Sequence, residues 1–216
     1  MKWNNKFNYP KSSRSIEDGM RKYLFGEEKL PSVTSILNAT KSEEDKASLE
    51  LWKERVGHAE ANKIKNEASS RGTFMHSYIE DFLRGRVNED FFENNEQYKN
   101  MAKEIINKGI KGKLEEIYGI ETTLYYPGKF AGTADLVGIY LGQETIIDFK
   151  QANKPKKIDY IQDYFLQLGA YTLAHNIVYK TNITSGVILL CTVDNLFQDF
   201  KIEGKELIMY QNLFLG

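Results

Sequence analysis

Cysteine is nearly missing from this sequence: Cys191 stands alone among 216 residues. That excludes an intrachain disulfide and any cysteine-ligated iron–sulfur cluster held by this chain. Long hydrophobic runs are missing too. The longest near the C-terminal end, Val187-Ile188-Leu189-Leu190-Cys191, falls far short of the roughly 20 residues of a membrane helix, and no signal-peptide segment follows Met1. An intracellular protein with no membrane partner is expected. Neither sign of charge dominates: 29 Lys and Arg oppose 30 Asp and Glu, a net charge of −1, so a polyanion must be held by a local patch. Repeats and low-complexity tracts are absent. What is present is an ordinary globular balance, 41% hydrophobic and 27% charged, enough for one domain with appendages or two small ones.

Residues 1–30 mix bases, Ser and aromatics without a sustained period and read as an N-terminal arm that packs irregularly. Pro31 and Ser32 then suit a helix start, anchored by Ile36 and Leu37. Residues 43–70 carry acids early and Leu49, Trp52, Val56 and Ala59 at steps of three and four, as one or two amphipathic helices. Arg71-Gly72-Thr73 punctuates them, a further helix is expected from Phe74 to Leu83, and another over 91–118, with Phe92, Tyr98, Met101, Ile105, Leu114 and Ile117 on one face. The period then changes to two. Glu121–Tyr126, Gly132–Tyr140 and Glu144–Lys150 read as consecutive strands, followed by a helix over Ile158–Tyr179, a buried strand Ser185–Val193, an edge strand Phe197–Ile202 and a closing helix Lys205–Phe214. This order gives an α/β (α+β) class: a mixed sheet flanked by helices and preceded by a helical region over 31–118, with the core over 119–216 forming one structural unit with it.

The hairpin of the second and third strands is the most informative feature. A turn centred between Leu141 and Gly142 sets Asp135 opposite Asp148, and Lys150 shares their face. Opposed like charges within apolar strands repel. A divalent cation resolves that conflict, since two carboxylates are hard ligands suited to Mg²⁺ or Mn²⁺ and an ammonium beside them can orient a nucleophile. Neutralisation by Lys150 alone, or one Asp at a strand end in water, resolves it equally well on these residues.

Asp135, then Asp148-Phe149-Lys150, then Gln167 and Tyr171 on the following helix, resembles the RecB-like branch of the PD-(D/E)XK nuclease superfamily. The strings Gly132-Thr133-Ala134-Asp135-Leu136 and Gln167-Leu168-Gly169-Ala170-Tyr171 are similar to its signatures. Upstream, Leu30-Pro31-Ser32-Val33-Thr34, Leu49-Glu50-Leu51-Trp52-Lys53 and Arg71-Gly72-Thr73-Phe74-Met75-His76 are similar to strings of the mitochondrial genome maintenance exonuclease family and its phage relatives. The resemblance implies a restriction-endonuclease-like core and a metal-dependent DNA exonuclease, in host cytoplasm if phage-encoded. Ala134 departs from the proline of the superfamily's name, and Gln151-Ala152 from a frequent Thr-Ser pair.

By that resemblance Asp135, Asp148, His76 and the Phe149 main-chain carbonyl are metal ligands. Without it, His76 is an ordinary surface or core histidine. Glu80, four residues on, is a supporting partner or an exposed helix acid, and Glu121 a further ligand or a solvated strand end. Gln167 and Tyr171, one turn apart, either support Lys150 or a phosphate, as the resemblance implies, or line the helix–sheet interface. Gly169-Ala170 permits a close approach of that helix to the sheet. Lys154, Lys156 and Lys157 with Tyr160 and Tyr164 can track phosphates and stack the bases of a single strand, or form a solvated loop. His58, His175 and Cys191 are structural. The expected activity is phosphodiester hydrolysis from single-stranded DNA ends. A duplex-end exonuclease of phage recombination type, an endonuclease, and a catalytically silent nucleic-acid-binding module on the same fold are the alternatives.

Overall fold

Two-residue turns with positive φ decide where the strands lie. Asp18-Gly19 (φ 54° and 76°) and Leu141-Gly142 (φ 49° and 80°) have the left-handed backbone that suits the twist of a tight hairpin. In this computed structural model, which describes residues 1–87 and 94–216, the first of these turns joins β2 (Ser13–Glu17) to β3 (Met20–Phe25), and β4 (Glu28–Pro31) follows. The expected irregular arm is therefore an antiparallel sheet, β2-β3-β4. β2 is almost wholly exposed, so no apolar alternation announced it, and the Asp-Gly pair was the available signal. β1 (Lys2–Trp3) instead runs parallel to β5 (Leu114–Tyr126) at the edge of the main sheet.

The helical region differs from expectation at its breaks. α1 (Val33–Ala39) is capped by Ser32, whose Oγ accepts from Ser35 N at 3.1 Å. α2 (Glu43–Val56) ends at Gly57, with φ 90°, and α3 (His58–Leu83) then runs 26 residues straight through Arg71-Gly72-Thr73. A mid-helix glycine costs about 1 kcal/mol, which burial of Met75, Tyr78, Ile79 and Leu83 along the same helix offsets. α4 (Glu96–Ile105) passes into a π-helical turn, Ile106–Ile110, and Gly112 (φ 77°) ends the helical run. Leu114 and Ile117 thus belong to β5, not to a helix face, and the boundary drawn at 118/119 falls inside that strand. Phe92 of the expected helix lies outside the described residues.

The main sheet has the order β1-β5-β6-β7-β8-β9, with β6 at Phe130–Tyr140, β7 at Gln143–Ala152, β8 at Ser185–Thr192 and β9 at Phe197–Glu203. It is mixed: β7 and β8 pair in parallel, whereas β5–β6, β6–β7 and β8–β9 are antiparallel. Alternation divides its residues between two cores. Leu136, Ile147 and Leu189 meet Met75, Ile79, Met101 and Ile105 of α3 and α4. Val137, Ile146, Ile188 and Leu190 meet Val33 of α1, Phe165 and Leu168 of α5 (Gln162–Tyr179) and Leu207 of α6 (Lys205–Leu215). The result is the expected α/β class, a central mixed sheet with helices on both faces. The close approach at Gly169 is to α6, not to the sheet: a Cβ there would stand 2.8 Å from the backbone of Tyr210. Among the described residues no helix is long and apolar enough to cross a membrane.

Candidate active site

The β6–β7 hairpin pairs Tyr140 with Gln143 and continues rung by rung to Leu136 with Ile147. The next rung in that register is Asp135 with Asp148, as the turn position predicts. There the backbone ladder gives way to side chains: Phe149 N donates to Asp135 Oδ2 at 2.8 Å, and Asp135 N approaches Asp148 Oδ1 at 3.4 Å. On the other flank Ile120 pairs with Leu136 and Thr122 with Ala134, which sets Glu121 across from Asp135. Glu121 itself has φ 51°. A left-handed non-glycine residue in mid-strand is a strained conformation that the surrounding structure must impose. Three carboxylates therefore stand in a row across β5, β6 and β7.

α3 brings His76 to that row. Its Nδ1 lies 2.8 Å from the Gly72 carbonyl and its Nε2 3.1 Å from Asp135 Oδ2. Both partners are acceptors, and only the imidazolium donates from both nitrogens. Burial alone would lower the His76 pKa, but the Asp135 carboxylate outweighs it and pushes the value up to about 9. Asp135, although its burial acts upward, is held below the usual carboxylate range by His76 and Lys150. Asp148, with no such imidazolium contact, is pushed up to about 6 by burial and then by Asp135. Glu121 opens to solvent on its outer side, yet the cleft wall strips enough water from its carboxylate, and Asp135 repels it enough, to push it up to about 7.

Lys150 is fixed from three directions. Its Nζ donates to Gln167 Oε1 at 2.6 Å, lies 3.7 Å from Asp148 Oδ2, and sits 4.8 Å above the Tyr164 ring. Gln167 and Tyr164 occupy adjacent turns of α5, so one helix face presents both. Tyr171, a turn further on, is buried and packs against Gly132, where a Cβ would come within 2.6 Å of its ring. Burial, with Asp148 and Asp135 nearby, keeps Tyr171 a neutral phenol by raising its pKa far above the ordinary tyrosine value.

These groups line one cleft of about 720 Å³. Its floor is the acidic row with Lys150. α3 forms one wall through Ser69, Gly72, Thr73, His76 and Glu80, α5 another through Tyr164, Gln167 and Tyr171, and the small sheet covers it with Arg14, Arg21 and Tyr23. Of the expected residues, His76, Glu121, Asp135, Asp148, Phe149, Lys150, Tyr164, Gln167 and Tyr171 thus come together. Glu80 joins them on the α3 wall and pairs with Arg84 at 3.0 Å. Lys154, Lys156, Lys157 and Tyr160 do not line the cleft; they follow β7 on the outer surface, where Lys156 N donates to Gln198 Oε1 at 2.8 Å. His175 is structural, buried among Phe7, Tyr9 and Tyr179, where loss of water lowers its pKa to about 4.

Sequence reasoning missed Arg14, Arg21 and Arg71. The buried Arg71 donates from Nε to Gln151 Oε1 and from Nη2 to Asn153 Oδ1, both at 2.7 Å, and so fastens α3, with His76 one turn on, to the end of β7. Its position five residues before His76 was the available signal.

Among the described residues no three His, Cys, Asp or Glu side chains are spaced as a metal centre, and Asp135 accepts from His76 and Phe149 N instead. The donor chemistry nevertheless fits a hard divalent cation. Two carboxylates carry raised proton affinities that a 2+ charge would relieve, and a bound cation would compete for the Asp135 oxygen that now accepts from His76.

No protein-family profile matches the chain. Curated relatives do. Mitochondrial genome maintenance exonuclease 1 of Mus musculus is 30% identical over 176 residues, covering 76% of this chain and 50% of that protein. Its counterpart in Xenopus tropicalis is 28% identical over 180 residues, covering 76% and 49%, and that in Homo sapiens 26% over 178, covering 76% and 50%. The chain spans about half the length of the relatives it matches. Solved structures overlap it loosely: a putative exonuclease from Eubacterium rectale at TM-score 0.43 and 13% identity over 68% of this chain and 63% of that one, and an alkaline exonuclease from Laribacter hongkongensis at TM-score 0.32 and 17% identity over 68% and 79%. The likeness to these relatives extends over about three quarters of the chain, and all three are named mitochondrial genome maintenance exonuclease 1.

Proposed function

We propose that this chain is a Mg²⁺- or Mn²⁺-dependent deoxyribonuclease that hydrolyses phosphodiester bonds from the ends of single-stranded DNA, in replication, repair or recombination. The observation that carries the reading is the row Glu121, Asp135 and Asp148 beside Lys150 and His76 in one cleft. Asp135, Asp148, His76 and the Phe149 carbonyl would hold the cation, with Glu121 beside them. When bound, it supplies the Lewis acidity that polarises a phosphate and makes water acidic enough to attack at neutral pH.

The remaining work falls to the chain's own groups. Lys150, anchored by Gln167 Oε1, directs an ammonium at the floor of the cleft, where it orients the attacking water and offsets the charge that grows on the phosphoryl oxygens. Its Nζ is committed as a donor to Gln167 Oε1 beside Asp148, so it serves as an electrostatic group and not as the base. Tyr164 gives the ammonium an aromatic face, and Tyr171 keeps the wall behind Gly132 dry.

Digestion of end-labelled linear and circular single strands with Mg²⁺, Mn²⁺ or chelator tests the reading. Linear strands alone should be degraded, and only with a metal. Cleaved circles would make the protein an endonuclease. Retained binding without cleavage in either metal would leave a binding module.

A further inference from the structure

The two faces of the small sheet treat their basic residues differently. Arg14 pairs in register with Tyr23, and Ile16 with Arg21, so alternation places all four on the face that covers the cleft. Lys22 and Lys29 belong to the opposite face, and both clasp Glu17 there, at 3.5 and 2.7 Å. Arg14 and Arg21 have no such anion. Both line the cleft, and among the described residues neither guanidinium lies within ion-pair distance of a carboxylate. The sheet that carries them is fastened over β6: Tyr23 OH and Thr133 Oγ1 share a 2.7 Å hydrogen bond, and Ser32 bridges to Ala131.

The floor opposite presents Glu121, Asp135 and Asp148, which repel any approaching phosphate. A polyanion enters such a cleft only if positive charge on another wall offsets that repulsion. Guanidinium is the group best matched to the task, because its planar fork meets phosphate oxygens through two hydrogen bonds. We propose that Arg14 and Arg21 form a second phosphate subsite, which grips a phosphodiester flanking the one hydrolysed and lays the strand between the small sheet and β6. The proposal rests on the nuclease reading and assigns the strand's second point of attachment.

The test is binding of an internally labelled 12-nucleotide oligodeoxythymidylate in chelator, followed by fluorescence anisotropy across a salt series, together with KM and kcat for its digestion in Mn²⁺. The double variant Arg14→Gln/Arg21→Gln should lose about tenfold in affinity at low salt, and its log K against log [salt] slope should fall by roughly 0.7, the contribution of one single-strand phosphate. KM should rise while kcat at saturation holds. Arg14→Lys/Arg21→Lys retains the charge and should keep the parent slope. Both side chains are exposed, so melting temperatures should match the parent. A Gln variant with parental affinity, slope and KM overturns the subsite, and so does equal loss in the Gln and Lys variants, which would trace the effect to shape. A parent that cleaves no DNA in either metal would instead overturn the nuclease reading itself.

Discussion

Asp135 and Asp148 are the same residue type on facing rungs, yet their surroundings separate them. Asp135 accepts from His76 Nε2 and Phe149 N, which stabilise its charge, whereas Asp148 bears the cost of burial and repulsion. The sequence shows only that the two acids face each other; their surroundings decide which of them bears the repulsion. In chelator at pH 8, Asp148→Asn should leave the melting temperature unchanged or raise it. Asp135→Asn should lower stability by about 1–3 kcal/mol, because a neutral amide cannot hold the imidazolium. Paired melting curves decide this, and the opposite ranking would place the strain on Asp135. Adding Mn²⁺ should stabilise the parent more than either variant.

For catalysis, Lys150→Ala should abolish cleavage with folding intact, and Gln167→Ala should lower kcat by about 10- to 100-fold, since it releases the ammonium without removing it. Single-turnover rates measure both. Near-parental turnover in Lys150→Ala would sink the assigned role. At this scale the acidic pair and Lys150 were legible because hairpin register is arithmetic. Glu121 was legible as a strand acid but not as the left-handed residue it is, since φ at one position depends on contacts from other strands. Arg14 and Arg21 could be placed only once their sheet was known.

Among the elements, strands and the later helices follow period and turn residues closely, while α3 does not. Its continuity through Gly72 depends on tertiary packing, which local propensity cannot register. The same holds for the crossing of α5 and α6, set by the absence of a side chain at Gly169. Gly169→Ala forces a methyl against the Tyr210 backbone and should destabilise by about 1–3 kcal/mol. The loss should appear in chemical denaturation, while activity per folded molecule stays near the parent's because α6 does not line the cleft. An unchanged denaturation midpoint would show that the two helices can slide apart at no cost.

For the whole molecule, pH and metal act through one balance of protons. Asp148 at about 6 and Glu121 at about 7 lie above their ordinary values of 3.8 and 4.5, and His76 at about 9 lies above 6.5. In each case the folded protein keeps a proton that the unfolded chain has already released, so stability falls as pH rises through that interval. The two acids penalise folding once ionised, and the favourable histidine pair is lost as pH passes 9. The buried His175, lowered to about 4, acts in the opposite sense below 6.5, so metal-free protein should lose melting temperature only shallowly from pH 5 to 6.5 and more steeply from there to 9. Mn²⁺ should flatten the acid part of that slope, because it offsets the carboxylate charge. A metal-free profile that rises with pH would contradict the assignment.

The small sheet makes contacts that span the chain. Tyr23 reaches Thr133, and Phe25 packs on Tyr125 with ring centroids 4.8 Å apart, so about a hundred residues must be organised before this cover closes. Contacts of such long sequence separation are slow to form because loop-closure entropy opposes them. A partly folded chain would then possess the acids of the central hairpin while lacking the surface that seats a strand on them. On the proposed function, competence to cut DNA would arrive only with this late stage of folding.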